Sequence, residues 1–273
     1  MENKKWTVSS VLGLLLVIVF AITCIAPFIY MILMSFTKST TLTLRMQDIN
    51  FSDFSNFSHV FNKSGFFGAL KNSIIVVCCS CFFNCVVASM AAYGFEKKRF
   101  PGREKIYNMY VATMMVPGQV TMIPVFIIMK KLGLLNTYFS LIVLIINAFG
   151  VLLIRSFMAG VPDELLEAAK VDGCPEHKIF INIVLPLIKP VLISLIVFTF
   201  VTSWNDFLWP LVSTTDSDMY TLTVALSLLK TQYGTNYGLI MAGAAVSFIF
   251  PFILYVFLQK QFVEGIALSG VKG

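Results

Sequence analysis

Glu167-Ala168-Ala169, Gly173 and then Ile183-Val184-Leu185-Pro186 punctuate a polar stretch between two long apolar runs. Two small residues beside an acid allow close approach of a second surface, and a glycine supplies a bend that other residues resist. The spacing therefore reads as a docking element, not a catalytic one. Groups of catalytic type are sparse. The two histidines, His59 and His177, stand far apart in polar loops, and Asp206 is the single acid inside an apolar run. Acid–base, nucleophilic and metal chemistry all need such groups to converge, so we assign no catalytic residue and no metal site. Cys78, Cys81 and Cys85 share one helix face at steps of three and four, but no histidine or carboxylate lies near them. They read as a soft apolar stripe at a helix contact. No Gly-Lys dipeptide occurs, which excludes a phosphate-cradling G-x-x-x-x-G-K-[ST] loop.

The elements that must hold this polar stretch are apolar. The chain has 273 residues, 58% hydrophobic and 12% charged, with a mean hydropathy of +0.84. A soluble domain carries about twice that charged share. Runs free or nearly free of charge cover residues 8–36, 72–95, 106–129, 132–154, 190–212 and 231–259. A bilayer core needs about 20 apolar residues per helix, so the expectation is an all-α integral membrane protein with six transmembrane helices in one domain, residues 1–273. The first run is longer than the apolar core of a secretory signal, contains Pro27 and lacks a convincing cleavage site, so it is expected to remain as an anchor.

Basic residues set the expected topology. Lys97, Lys98, Arg99, Arg103 and Lys105 crowd the link after the second run, and Arg155, Lys170, Lys178 and Lys189 surround the polar stretch. The positive-inside bias places both links, and with an even number of spans both termini, in the cytoplasm. Lys38, Arg45, Lys63 and Lys71 fall in the first outer loop and weaken that bias. The cations thus mark a membrane and its lipid, not nucleic acid.

Within the polar stretch, about residues 160–188, Pro162 with Asp163 and Glu164 reads as a helix start. Leu165, Leu166, Ala168 and Ala169 supply an apolar face, with Glu164 and Glu167 one turn apart on the polar side. Asp172-Gly173 ends that helix, and a second runs from Cys174-Pro175-Glu176 to Leu185-Pro186, with Pro190 opening the next span. In the third run, Val116-Pro117-Gly118-Gln119 and Pro124 interrupt the helix. Either this break carries Gln119 and Thr121 to a watery path or it is a packing kink. The first outer loop, with Phe51, Phe54, Phe57 and Phe61, suggests a short amphipathic helix packed on the bundle or a partner. Asn84 and Asn147 are polar groups within spans, explained equally by a path or by helix–helix hydrogen bonds. Asp206, beside Asn205, Trp204 and Trp209, is a candidate for substrate contact or for a structural role at an interfacial aromatic belt.

The Glu-Ala-Ala-x3-Gly-x9-Ile-x-Leu-Pro spacing resembles the coupling loop of ATP-binding-cassette importer permeases. Ala92-Tyr93-Gly94-Phe95 with Arg99-Phe100-Pro101-Gly102-Arg103, Met122-Ile123-Pro124 with Leu132-Gly133-Leu134-Leu135-Asn136-Thr137, Ser203-Trp204-Asn205-Asp206-Phe207-Leu208-Trp209-Pro210, and the tail from Gln259 to Gly273 are similar to the carbohydrate importers of this class, those related to the second maltose permease subunit. These stretches follow the family order along nearly the whole chain. Cys174 departs from the family's usual alanine.

The resemblance implies a type I importer permease fold with a cytoplasmic helix-Gly-helix coupling loop, in a bacterial plasma or inner membrane. It implies a second permease subunit, a dimer of ATPase subunits that bind the ATP and magnesium, an extracytoplasmic solute-binding protein and a carbohydrate substrate. No cofactor is expected in this chain. Glu164, Glu167, Ala168, Ala169, Gly173 and Pro186 would form the ATPase-coupling contact, and Gln259, Lys260, Gly265, Lys272 and Gly273 an ATPase-docking tail. Gln119, Thr121, Asn147, Asn205 and Asp206 are the substrate-path candidates. A sugar phosphate such as glycerol 3-phosphate is the alternative cargo, disfavoured because no Arg or Lys lies deep within the spans. A membrane-embedded enzyme lacks a constellation, and a channel without an ATPase leaves the polar loop unexplained.

Overall fold

The computed structural model describes the backbone of residues 8–63, 65–232 and 236–270, and the side chains of residues 10–62, 65–229 and 236–257. Every regular element among them is helical, as expected where lipid offers the backbone no hydrogen-bond partner. The chain divides into two compact units, Met1–Phe66 with Ala225–Phe252, and Phe67–Val224 with Ile253–Gly273.

In the first unit, α1 (Val8–Ser35) runs unbroken through Pro27. Between Val11 and Ile25 its apolar side chains are open on all sides, Leu16 at 71% and Phe20 at 68% exposure, whereas Met34 near its end is buried; the open part suits a helix whose solvent is hydrocarbon. The link after it folds onto itself. The ring of Phe36 meets Phe51, Phe54 and Phe57 with centroids 5.4, 5.5 and 5.3 Å away. The expected short amphipathic helix is α2 (Ser55–Lys63), and it turns inward: Val60 and Asn56 are buried. The Asn56 amide donates to the carbonyls of Ser35 at 2.9 Å and Thr37 at 2.8 Å, groups that the end of α1 leaves without partners.

The second unit begins in α3 (Phe66–Lys97), a 32-residue helix. It is followed by α4 (Arg103–Ala112) and α5 (Gly118–Lys131). The axis turns by 101° between Arg103–Met115 and Gly118–Lys131. Val116 there is extended, φ −86° and ψ 116°, because the ring of Pro117 disfavours helical geometry in the residue before it. The expected break is therefore real, whereas Pro124 sits inside α5 without ending it.

Of the six transmembrane helices expected from the apolar runs, the described residues supply some unbroken and some bent. Three helices are long and apolar enough to cross a membrane unbroken, Ser10–Ser35, Phe66–Lys97 and Tyr237–Phe257, and two more candidates are bent pairs. The fourth apolar run, 132–154, is not one helix. It holds a turn through Gly133 and Asn136, both at positive φ, then α6 (Tyr138–Val143), a break, and α7 (Ala148–Met158). Thr137 caps α6 by accepting from the Ser140 N–H, and Asn147 caps α7 by accepting from the Phe149 N–H. Hydropathy measures the cost of leaving water, and capping side chains decide where a helix stops.

The loop elements α8 (Asp163–Val171), α9 (Glu176–Ile179) and α10 (Leu185–Leu187) come next, with a π-helical stretch at Phe180–Val184. The wide turn leads into Pro186, which has no N–H to give and whose ring crowds the carbonyl four residues back. The axis then turns by 77° into α11 (Lys189–Trp204). Pro190 lies in its first turn, where a missing N–H costs nothing. The unit continues through α12 (Leu208–Ser213) into the first residues of α13 (Leu222–Gln232); the rest of α13, and α14 (Tyr237–Gly270) as far as Phe252, belong to the first unit.

Candidate functional site

The polar loop is two helices joined at Gly173. Pro162, at φ −62° and ψ 133°, leads into α8, with Asp163 and Glu164 in its first turn, where the free N–H groups favour negative charge. Consecutive helical residues point about 100° apart, so the expected single apolar face splits in two. Leu166 and Ala169 turn inward, joining Ala88, Ala92 and Tyr93 of α3, Val151, Ile154 and Met158 of α7, and Ile179 and Val184 in one core. Burying Leu166 there contributes about 2 kcal/mol. Leu165 and Val171 point out, at 46% and 88% exposure, with Glu164, Glu167 and Ala168 also exposed. Of the expected contact residues, Ala169 is thus internal, and Pro186 lies exposed in α10.

The end of α8 is closed by backbone alone. The Cys174 N–H donates to the Ala169 carbonyl at 2.9 Å and the Gly173 N–H to the Lys170 carbonyl at 3.0 Å, the paired bonds of a Schellman ending. This geometry puts Gly173 at φ +75°, a conformation that a side chain resists. Cys174 packs against the same core as Ala169.

Three ionic contacts then fix the loop and its neighbours to the end of α3. The Lys97 ammonium donates to the Val161 carbonyl at 2.6 Å and to Asp163 Oδ1 at 2.7 Å, and its side chain is only 5% exposed. The Lys98 ammonium and the Tyr93 hydroxyl both donate to Glu176 Oε1, at the first residue of α9. Glu96 accepts from Arg155 Nε at 2.9 Å, while Arg155 Nη2 donates to Glu104 at 2.7 Å and its guanidinium lies 3.9 Å from the centre of the Tyr107 ring. The hydrogen bonds from Lys97, Lys98 and Arg155 hold the carboxyls of Asp163, Glu176 and Glu104 below the ordinary carboxylate range. Sequence reading took Lys97 and Lys98 only as markers of topology. The signal for more was present in Glu96-Lys97-Lys98, a mixed-charge run at a helix end facing two acids that each follow a proline.

The substrate-path candidates do not assemble. Gln119 is exposed near the start of α5, and Thr121 returns its hydroxyl to the Gly118 carbonyl at 3.0 Å. Asn147 is exposed and spent on capping α7, and Asn205 donates back to the Val201 carbonyl at 2.9 Å. Asp206 turns its carboxylate onto the N–H groups of Phe207 and Trp209 around the start of α12, and its carbonyl accepts from Thr223. These bonds are those of a residue holding the start of α12 in place. These five share no hydrogen bond with one another. Asn84 is buried, donates to Thr199 Oγ1 at 2.9 Å and so ties α3 to α11. Of the expected tail, Lys272 and Gly273 lie outside the described residues, as do the side chains of Gln259, Lys260 and Gly265; the backbone of α14 continues to Gly270. Among the described residues no group of three or more His, Cys, Asp or Glu could hold a metal.

The arrangement is thus a folded polar loop braced against membrane helices, with one face of α8 left open. Residues 84–267 match the family described as the binding-protein-dependent transport system inner membrane component, and the chain belongs to that family. It is a permease subunit of an ABC importer that works with a solute-binding protein; it transports and is not an enzyme. The chain is 35% identical to the arabinooligosaccharides transport system permease protein AraQ of Halalkalibacterium halodurans, over 98% of this chain and 100% of that one. It is 33% identical to the lactose transport system permease protein LacG of Rhizobium radiobacter, over 91% of each. A solved bacterial ABC transporter involved in the import of the acidic polysaccharide alginate has the same fold, with a TM-score of 0.81 at 24% identity over 95% of this chain and 98% of that one.

Proposed function

We propose that this permease serves a carbohydrate importer and forms the translocation path with a second permease subunit. In this reading, the loop at 160–188 docks on a separate ATPase that binds the ATP and magnesium, in the cytoplasm together with both termini. The observation that carries the reading is the open ridge of Leu165, Ala168 and Val171, flanked by Glu164 and Glu167, on a helix braced from behind by buried Leu166 and Ala169. It is the contiguous ridge on a polar loop, not any one open residue, that suits a contact surface. Gly173 sets the angle between the two helices, and Pro186 and the tail at 259–273 are further coupling contacts. ATP-driven closure of the ATPase draws the loops together, and the spans open the path outward to receive solute from the binding protein.

Carbohydrate as cargo is supported by the relatives, whose names specify arabinooligosaccharides and lactose, and by the absence of Arg and Lys within the apolar runs. The test is expression of the tagged chain in its native host, with Val171→Glu beside the unmodified chain, followed by purification and uptake of a radiolabelled neutral oligosaccharide in proteoliposomes. The unmodified chain is expected to bring an ATPase with it and the variant to lose it. Equal ATPase recovery from both overturns the docking surface, and ATP-dependent uptake of glycerol 3-phosphate but not of oligosaccharides overturns the cargo.

A further inference from the structure

The loop is covalently continuous with α7 at one end and α11 at the other, so a push on it reaches those helices through the chain itself. It reaches α3 only through side chains, and the structure concentrates those at one place. Consecutive residues at the end of α3 grip both helices of the loop. Lys97 holds the entry to α8 through the Val161 carbonyl and Asp163, and Lys98 with Tyr93 holds the first residue of α9 through Glu176. The contact is specific in geometry. The Lys97 side chain is almost wholly enclosed, so pulling it from its acceptors leaves a buried charge unpaired, which costs more than breaking an exposed pair. Lys98 lies 5.0 Å from the centre of the Tyr93 ring, so two donors and one carboxylate form a closed set.

We propose that Lys97 and Lys98 are positioning residues that make α3 a third carrier of the loop's motion, by clamping the two loop helices at their N-terminal ends. The apolar core beneath resists compression but tolerates sliding, because dispersion contacts have no preferred direction along the interface. The ionic clamp supplies that direction. Near its middle α3 donates through Asn84 to Thr199 of α11, so a displaced loop moves α3 and α11 together and not past each other. This rests on the reading that the loop docks on an ATPase.

The test uses the complete permease–ATPase complex in proteoliposomes with its binding protein, read as solute taken up per ATP hydrolysed. Lys98→Glu and Glu176→Lys are each expected to lower that ratio at least about threefold, the range over which single residues modulate coupling between sites. The double exchange is expected to restore it to within about twofold, since it re-forms the pair with the charges reversed. Lys97→Met is expected to lower the ratio likewise. A general loss of structure would not be repaired by a second charge reversal, so rescue distinguishes positioning from folding. If a charge reversal fails to assemble, the neutral variants Lys98→Met and Glu176→Gln are read the same way. An unchanged ratio in assembled single variants, or a double variant as poor as the singles, overturns the clamp while leaving ATPase docking intact. Purification of the unmodified chain without an ATPase overturns both.

Discussion

Two polar inserts interrupt this apolar chain, and they are built on opposite plans. In the insert at residues 36–65 the helix α2 covers its apolar side: Phe57 meets Phe36, Asn56 satisfies two carbonyls and Val60 is buried, while Phe51 and Phe54, outside that helix, touch Phe36 yet stay 60% exposed. The insert at residues 160–188 is anchored just as firmly by Leu166, Ala169 and the lysine clamp, yet it keeps Leu165, Ala168 and Val171 in the open. Both contain short helices with apolar residues, so composition does not separate them. What separates them is which side of the helix has a partner inside the chain. The helix of the first insert has its apolar residues covered; the helix of the second leaves an apolar ridge open.

Breaking the first insert should therefore cost folding, and breaking the second should cost less stability but more coupling. The largest effect is expected at Gly238, where a Cβ would lie 1.9 Å from the Thr37 carbonyl oxygen, close to the bond from the Tyr237 N–H to the Ser39 carbonyl at 3.0 Å. Backbone has no rotamer with which to yield, so Gly238→Val should cost about 3 kcal/mol or more and sharply reduce the monodisperse protein recovered in detergent. Asn56→Ala comes next. It strips the donors from two carbonyls and should cost about 2 kcal/mol, read as a lowered midpoint of thermal unfolding in detergent.

In the second insert the effects are smaller. Lys97→Met leaves the Val161 carbonyl without its charged donor and should cost about 1.5 kcal/mol by the same thermal measurement. Gly173→Ala meets open space, so only its left-handed backbone resists, at about 1 kcal/mol. A loss there above 3 kcal/mol would show that the hinge is held by more than its own conformation.

The smallest effect is expected from pH. Glu176 is held below its ordinary value by its bonds from Lys98 and then Tyr93. A depressed carboxyl contributes stability that is full above the unfolded value near 4.3 and is lost as pH falls through the lower folded value. The clamp should therefore be indifferent to pH from about 6 to 8 and release only in acid. A change in uptake per ATP across that neutral window, abolished by Glu176→Gln, would contradict this assignment.

Much of the second insert was legible beforehand. Acids after Pro162 and a glycine at position 173 are local signals: a proline fixes its own φ, and a left-handed helix ending selects glycine. The break before Pro117 was legible for the same reason. The clamp was not, because Lys97 and Asp163 are far apart in sequence and their pairing depends on how α3 and α7 pack. Nor was the fate of Asn147 and Asp206, which looked available as polar groups in apolar runs and are spent on the N–H groups of neighbouring helices.

The sequence by itself determined the solvent, the family and the punctuation of this protein. Transfer of apolar side chains out of water is additive along the chain, and proline and glycine act on their own backbone. Only the tertiary structure decided that residues 132–154 form two capped helices and that Leu166 faces in while Leu165 faces out. It also decided that two adjacent lysines hold the loop. Each of these depends on which polar group finds a partner and which face is covered, and a partner far away in the chain leaves no mark in the local pattern.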